Sequence, residues 1–129
     1  MKILRILILF PIIALTVSCQ GQTGVQKLAV ESFEKKLQAT GDKIILDVRT
    51  AEEFNGGHLV NATTIDYYST DFKNQVNQLD KSKPVFVYCA AGVRSGKAAS
   101  ILSQLGFKEV YDLQGGFNAW AAARKPVER

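Results

Sequence analysis

Cysteine is scarce in this chain: Cys19 and Cys89 are the only two among 129 residues. Two thiols build no disulfide framework, and with no C-x-x-C pair or resolving cysteine a dithiol oxidoreductase is disfavoured. Histidine is scarcer still, with His58 alone. One histidine and one available cysteine are too few soft ligands for a metal site, so neither metal nor cofactor is expected. No run of five or more Lys/Arg occurs, and nothing in the charge pattern asks for nucleic acid. The net charge is only +4, and Lys2 and Arg5 supply half of it. Internal repeats are absent. The length suffices for one ordinary domain and not for two.

The apolar run Ile6 to Val17 is also short. A membrane-crossing helix needs about 20 such residues, and Pro11 interrupts this one. After the basic start Met1-Lys2-Ile3-Leu4-Arg5, it fits the apolar region of a secretory signal peptide. The run closes in Leu15-Thr16-Val17-Ser18-Cys19, which resembles a bacterial lipobox, with Thr16 where Leu is usual. Residues 1–18 are therefore expected to be a signal peptide of lipoprotein type, with a lipidated Cys19 as the mature N-terminus. Ordinary signal cleavage before Cys19 is the alternative. Both readings place the mature chain outside the cytoplasm, in a bacterial cell envelope, facing the periplasm. The first adds the membrane as a partner through the lipid, and an envelope protein partner is conceivable. The polar, glycine-bearing Gln20 to Gln26 reads as a flexible tether, so the expected organisation is tether 19–27 and domain 28–129.

Within that domain, apolar spacing and punctuation alternate. Phe33 and Leu37 mark an amphipathic helix over Glu31 to Ala39, stopped by Gly41-Asp42. Ile44 to Val48 reads as a buried strand. Thr50-Ala51-Glu52-Glu53 is a capping box opening a short helix that Gly56-Gly57 ends. Phe72, Val76 and Leu79 share a helix face. Pro84 to Tyr88 is a second strand, Ser95 to Leu105 a helix ended by Gly106, and Val110 to Leu113 a third strand. Gly115-Gly116 then leads into a last helix, Phe117 to Arg124. Strands alternating with helices predict a single α/β domain with a mainly parallel central sheet and helices on both faces. Phe33, Leu37, Phe72 and Ile101 are expected in its core, and Trp120 in the core or at the rim of a pocket.

In such sheets the site lies beyond the carboxyl ends of the strands. Cys89 stands there, directly after the Val85 to Tyr88 run and before a helix. In Cys89-Ala90-Ala91-Gly92-Val93-Arg94-Ser95 three features converge on one sulfur. A small glycine-bearing loop can turn its N–H groups inward, a helix N-terminus points at the same place, and Arg94 brings a full charge. Each favours thiolate over thiol. A free cysteine is only about 3% ionised near neutral pH, whereas lowering its pKa by ~2 makes it roughly three-quarters ionised. The same donors would hold an anionic substrate. Were Cys89 merely a buried, inert thiol, these neighbours would have no purpose.

The loop resembles the active-site loop of rhodanese domains, especially the small thiosulfate sulfurtransferases with the pattern C-x-x-G-x-R-S. Two further stretches resemble the same family in the same order: Asp47-Val48-Arg49 through Glu53-Phe54 to Gly57-His58-Leu59, and Leu113-Gln114-Gly115-Gly116 to Trp120. One departure is Asn61-Ala62-Thr63-Thr64, where the family usually has Gly-Ala-x-Asn; an Asn adopts the left-handed conformation that such a turn asks of glycine. The resemblance implies a catalytic Cys89 that takes a sulfur atom from a small anionic donor such as thiosulfate and passes it to cyanide or a thiol. It implies substrate contacts from Ala90, Ala91, Gly92, Val93, Arg94 and Ser95, and from the segment Asp66 to Tyr68. Asp47, Arg49 and His58 would support the structure near the site, His58 not as a general base. The related cysteine phosphatases and arsenate reductases space Cys and Arg as C-x5-R, to fit a tetrahedral oxyanion. Here the spacing is C-x4-R. A binding or sulfur-sensing module without turnover is the other alternative, although such domains usually lack the loop cysteine.

Overall fold

The computed structural model describes residues 24–129. The leader, Cys19 and most of the expected tether lie outside the described residues. A five-stranded parallel sheet runs β1-β6-β5-β2-β4. Its strands are β1 (Val25–Leu28), β2 (Ile44–Asp47), β4 (Thr63–Thr64), β5 (Val85–Tyr88) and β6 (Val110–Leu113). The central strands β5 and β6 are buried along their whole length, which is why they read as continuous apolar runs rather than alternating ones. A separate two-stranded pair joins β3 (His58–Leu59) to β7 (Val127–Glu128), antiparallel.

Helices cover both faces, as the alternation predicts. On one face α3 (Phe72–Asn77) and α4 (Val93–Gln104) set Phe72, Val76, Ala98, Ala99 and Leu102 against Leu46, Val85, Val87 and Val110. On the other, α1 (Val30–Ala39) and α5 (Gly116–Ala122) set Phe33 and Trp120 against Ile45, Phe86, Tyr88, Tyr111 and Leu113. Phe33 meets Phe86 and Trp120 edge-on, with ring centroids 5.4 and 6.1 Å apart, a geometry aromatic quadrupoles favour. Leu37 and Ile101 are only partly buried, flanking these clusters.

The short α2 (Ala51–Asn55) begins at the expected capping box, in which Thr50 accepts from the Glu53 N–H and Glu53 accepts from the Thr50 N–H. Asn61 has φ of 64°, the left-handed turn expected of it. Leu79 falls two residues beyond α3.

One boundary needs correction. The tether expected to run to residue 27 enters the sheet at Val25: β1 pairs in parallel with β6, Val25 to Val110 through Leu28 to Leu113. The polar Gln26 and Lys27 hid it, because an edge strand needs no apolar run. Gly24 makes the entry possible, since a side chain there would collide with the Lys108 backbone, and its carbonyl accepts from the Val110 N–H at 2.8 Å.

The fold places two loops against each other beyond β5 and β6. Gly116 lies so close to the Cys89–Ala90 backbone that a Cβ would come within 2.5 Å of the Cys89 oxygen, and its φ of 59° is left-handed. Gly116→Ala combines a conformational cost with a backbone clash, so a loss of about 2 kcal/mol or more is expected. In a thermal melt that is a fall of roughly 8 °C or more. An unchanged melting temperature would show that this contact does not hold the two loops together.

Candidate active site

Cys89 leaves β5 at its carboxyl end and is 1% exposed. Gly92, with φ of 112°, turns the loop and caps α4. The cysteine sulfur sits inside this turn: the Gly92 N–H donates to Sγ at 3.0 Å, and the Ser95 hydroxyl lies 3.4 Å from it. Burial works against the thiolate. It is outweighed by the Ser95 hydroxyl and by the backbone N–H groups of Ser95, Gly92 and Ala91, so the Cys89 thiol is held below its ordinary pKa. Across from it, the N–H groups of Phe117 and Asn118 donate to the carbonyls of Cys89 and Ala90 at 2.7 and 3.0 Å. Those carbonyls therefore turn toward α5, leaving the N–H side of the loop for the sulfur.

Arg94 is engaged elsewhere. Its guanidinium makes a two-pronged pair with Glu53, Nη1 to Oε1 at 2.7 Å and Nη2 to Oε2 at 2.9 Å, and lies over the Tyr68 ring, 5.4 Å from its centroid. This bond first, with the Thr50 N–H adding to it against partial burial, holds the Glu53 carboxyl down at about 2. The charge of Arg94 reaches the sulfur only as a longer-range attraction. Val93 is 70% exposed at the mouth of the loop.

Asp47, Arg49 and His58 stand on the opposite face of the sheet from the sulfur. Asp47 and Arg49 are fully buried, and Arg49 Nε and Nη2 donate to the Asp47 carboxylate at 2.7 to 3.1 Å. Burial opposes the Arg49 charge, and the Asp47 carboxylate overcomes it. Arg49 also donates to the Gly57 carbonyl at 2.7 Å and lies 4.2 Å from the Phe117 ring centroid. The pair thus ties the end of α2 to the start of α5. His58 stacks on Phe54 with centroids 3.7 Å apart and reaches Glu128 at 3.4 Å, within the β3–β7 pair. The Tyr88 hydroxyl accepts from the Leu59 N–H at 3.0 Å, and burial pushes its pKa up.

Of the predicted loop residues, Gly92 and Ser95 hold polar groups against the Cys89 sulfur and Arg94 is turned to Glu53, whereas Asp47, Arg49 and His58 do not touch the sulfur. Two residues escaped sequence reasoning. Glu53 was read as a cap and as part of a family-like stretch, not as the partner of Arg94. Asp112 was absorbed into an apolar strand, yet it is a carboxyl 1% exposed on the same face of the sheet as Cys89. A charged residue inside an otherwise apolar strand was the signal for it.

The fold and this loop define an α/β domain built to present one amide-cradled cysteine. A family profile described as "Rhodanese-like domain" matches residues 29–123, and the chain belongs to that family. Among curated relatives it is 41% identical over 81 residues to the uncharacterized protein YqhL of Bacillus subtilis, covering 63% of each chain. It is 39% identical over 85 residues to a tRNA uridine(34) hydroxylase of Cytophaga hutchinsonii, spanning 64% of this chain and only 27% of that one. The thiosulfate sulfurtransferase GlpE of Shewanella oneidensis is 37% identical over 96 residues, 74% of this chain and 92% of the relative. The chain therefore spans less than two thirds of the first two and nearly all of the third. Among solved structures, a rhodanese-related protein of Thermoplasma volcanium superposes with a TM-score of 0.70 at 28% identity, covering 80% of this chain and 97% of that one.

The Arg94–Glu53 pair has a pH signature. The folded-state pKa of Glu53 is depressed from its ordinary 4.5 to about 2. The pair's contribution is therefore fully present above the ordinary value and lost as the pH falls through about 2. With Glu53 33% and Arg94 16% exposed, solvent screening limits it to about 1 kcal/mol. Arg94→Gln is expected to lower the urea midpoint at neutral pH and to approach wild type as the solution is acidified. A deficit independent of pH would mean that Arg94 stabilises by packing alone.

Proposed function

We propose that this chain is a sulfurtransferase that carries sulfur as a Cys89 persulfide. The observation that carries the reading is the sulfur held inside inward-turned N–H groups, the nearest at 3.0 Å, with its pKa lowered. In the first half-reaction the Cys89 thiolate attacks the outer sulfur of thiosulfate. A bond forms between Sγ and that sulfur, the sulfur–sulfur bond to the sulfite moiety breaks, and sulfite leaves with the electron pair. In the second, a thiol or cyanide attacks the terminal sulfur and Cys89 departs as thiolate. Each half regenerates what the other needs, so ping-pong kinetics follow. No separate base is required, because the cradle already favours the thiolate.

The likeness to GlpE along most of its length supports thiosulfate as a donor. The four-residue spacing between Cys89 and Arg94 supports sulfur transfer over phosphate-ester or arsenate chemistry. Arg94 binds the donor's oxygens on this reading by exchanging its Glu53 partner for them. The leader supports an exported, lipid-anchored setting, with a thiol acceptor in the envelope.

The test is a mass spectrum of the thiosulfate-treated protein. One added sulfur is expected on wild type and none on Cys89→Ala, whose thiosulfate:cyanide activity should drop by roughly three orders of magnitude or more. Wild type that takes up no sulfur would instead be a binding module. For the anchor, bacterial cells fed labelled palmitate should label the wild-type chain and not Cys19→Ala; an unlabelled, shortened wild type would mean ordinary signal cleavage.

A further inference from the structure

The order of the sheet gives the Cys89 loop two different flanks, because β5 lies between β2 and β6. On the β2 side Arg94 is neutralised by Glu53 of α2. On the side of β6 and β1 a cavity of about 410 Å³ opens between α4 and the strand ends. That volume falls within the range of small-molecule sites, roughly 300–1,000 Å³. Thiosulfate or cyanide would leave most of it empty.

Two cations line it. Lys27 stands beside Asp112 in the register of β1 and β6, so both point to the α4 side of the sheet. Lys97 comes from α4 itself. The Gln114 amide joins them, and no carboxylate lines the cavity. Among the described residues neither lysine forms an ion pair. The Asp112 carboxyl lies behind Gly96, 1% exposed, and attracts Lys27 only at longer range.

Gly96 keeps this space open. It is inside α4, where glycine is disfavoured against alanine. Packing does not demand it: a Cβ there would meet Asp112 Oδ2 at 3.8 Å, an ordinary contact. What a side chain would take is the room in front of the helix. Gly92 belongs to both sides of the wall. It lines the cavity, and its N–H donates to Cys89 Sγ at 3.0 Å. One residue's backbone therefore separates the cavity from the sulfur.

We propose that this cavity binds the sulfur acceptor, taking the anionic tail of a small thiol, carboxylate or phosphate, between Lys27 and Lys97 while its sulfur reaches past Gly92. Lysine ammonium groups act as point charges and take either anion. The acceptor thiolate attacks the terminal sulfur of the Cys89 persulfide in its S–H form. A sulfur–sulfur bond to the acceptor forms, the bond to Sγ breaks, and Cys89 keeps that electron pair as thiolate. The proton leaves with the acceptor's new persulfide, so charge is conserved. The inference deepens the sulfurtransferase reading and rests on it for the transferred sulfur.

The test compares wild type with the double variant Lys27→Gln/Lys97→Gln in the second half-reaction. The acceptors are mercaptosuccinate, with carboxylates, phosphopantetheine, with a phosphate, and the neutral mercaptoethanol. Comparing each thiol with itself cancels its reactivity. For one or both anionic thiols kcat/KM should fall about tenfold, the size of two exposed charge contacts. The fall should lie in KM, with kcat kept, and Lys27→Arg/Lys97→Arg should restore it. For mercaptoethanol the change should stay below about twofold, and thiosulfate should still load Cys89 at the wild-type rate. The anionic thiol with the larger fall identifies the tail as carboxylate or phosphate. Equal falls for charged and neutral thiols, no fall with either anionic thiol, or an equal loss of thiosulfate loading overturns the proposal. A second measurement needs no chemistry. Methylthiosuccinate, a thioether that cannot accept sulfur, should shift the NMR signals of Lys97 and Gln114 in wild type and not in the glutamine variant; no shift overturns the site. A protein that shows these shifts but takes up no sulfur keeps the anion site and loses the sulfurtransferase reading.

Discussion

Everything at the site depends on a close approach between two backbones. Gly116 lies against Cys89 and Ala90 with no room for a Cβ, and the N–H groups that follow it take up the carbonyls of those two residues. A peptide unit has two polar ends pointing opposite ways. Fixing the carbonyls toward α5 leaves the amides of the loop for the sulfur. The cradle is thus made as much by the turn after β6 as by the loop after β5. The two strands are neighbours in register, Val85 beside Val110 to Val87 beside Asp112, so sheet pairing sets the distance between the turns before any side chain acts.

The sulfur is then stabilised mainly by fixed dipoles. A full positive charge so near would also pull a bound anionic product tightly. The structure keeps Arg94 paired with Glu53 and lets N–H groups and one hydroxyl lower the thiol's pKa. Such donors are already oriented and need no rearrangement when charge appears on the sulfur. Arg94 is left near the loop mouth, beside Tyr68.

The local parts of this arrangement were legible in the sequence. The cysteine loop, the Thr50–Glu53 cap, the left-handed turn at Asn61 and the alternation of strands and helices are each written within a few neighbouring residues. What was not legible involves partners far apart in the chain. Glu53 serves its own helix and also Arg94, 41 residues on, and nothing local announces the second duty. The Tyr88 hydroxyl finds the Leu59 N–H across 29 residues. β1 carries two polar residues and is a strand only because β6 offers an edge, and the two-residue β3 and β7 are too short to have a period. The expected role of Arg94 shows the same limit: spacing placed its charge near Cys89 and could not show which carboxylate it meets first.

Two buried aspartates on opposite faces of the sheet show how burial separates structure from chemistry. Asp47 is surrounded by donors: the Arg49 side chain donates to both its oxygens and the Arg49 backbone N–H donates to Oδ1. The use of a carboxylate so completely paired is mechanical, tying α2 to α5. Asp112 has no such ring of donors, and its Oδ1 is buried without a hydrogen-bond partner. Burial so little compensated raises this carboxyl above its ordinary pKa. The sheet thus carries its rigid ion pair on one face and its underpaired carboxyl on the other, the face of the only cysteine among the described residues.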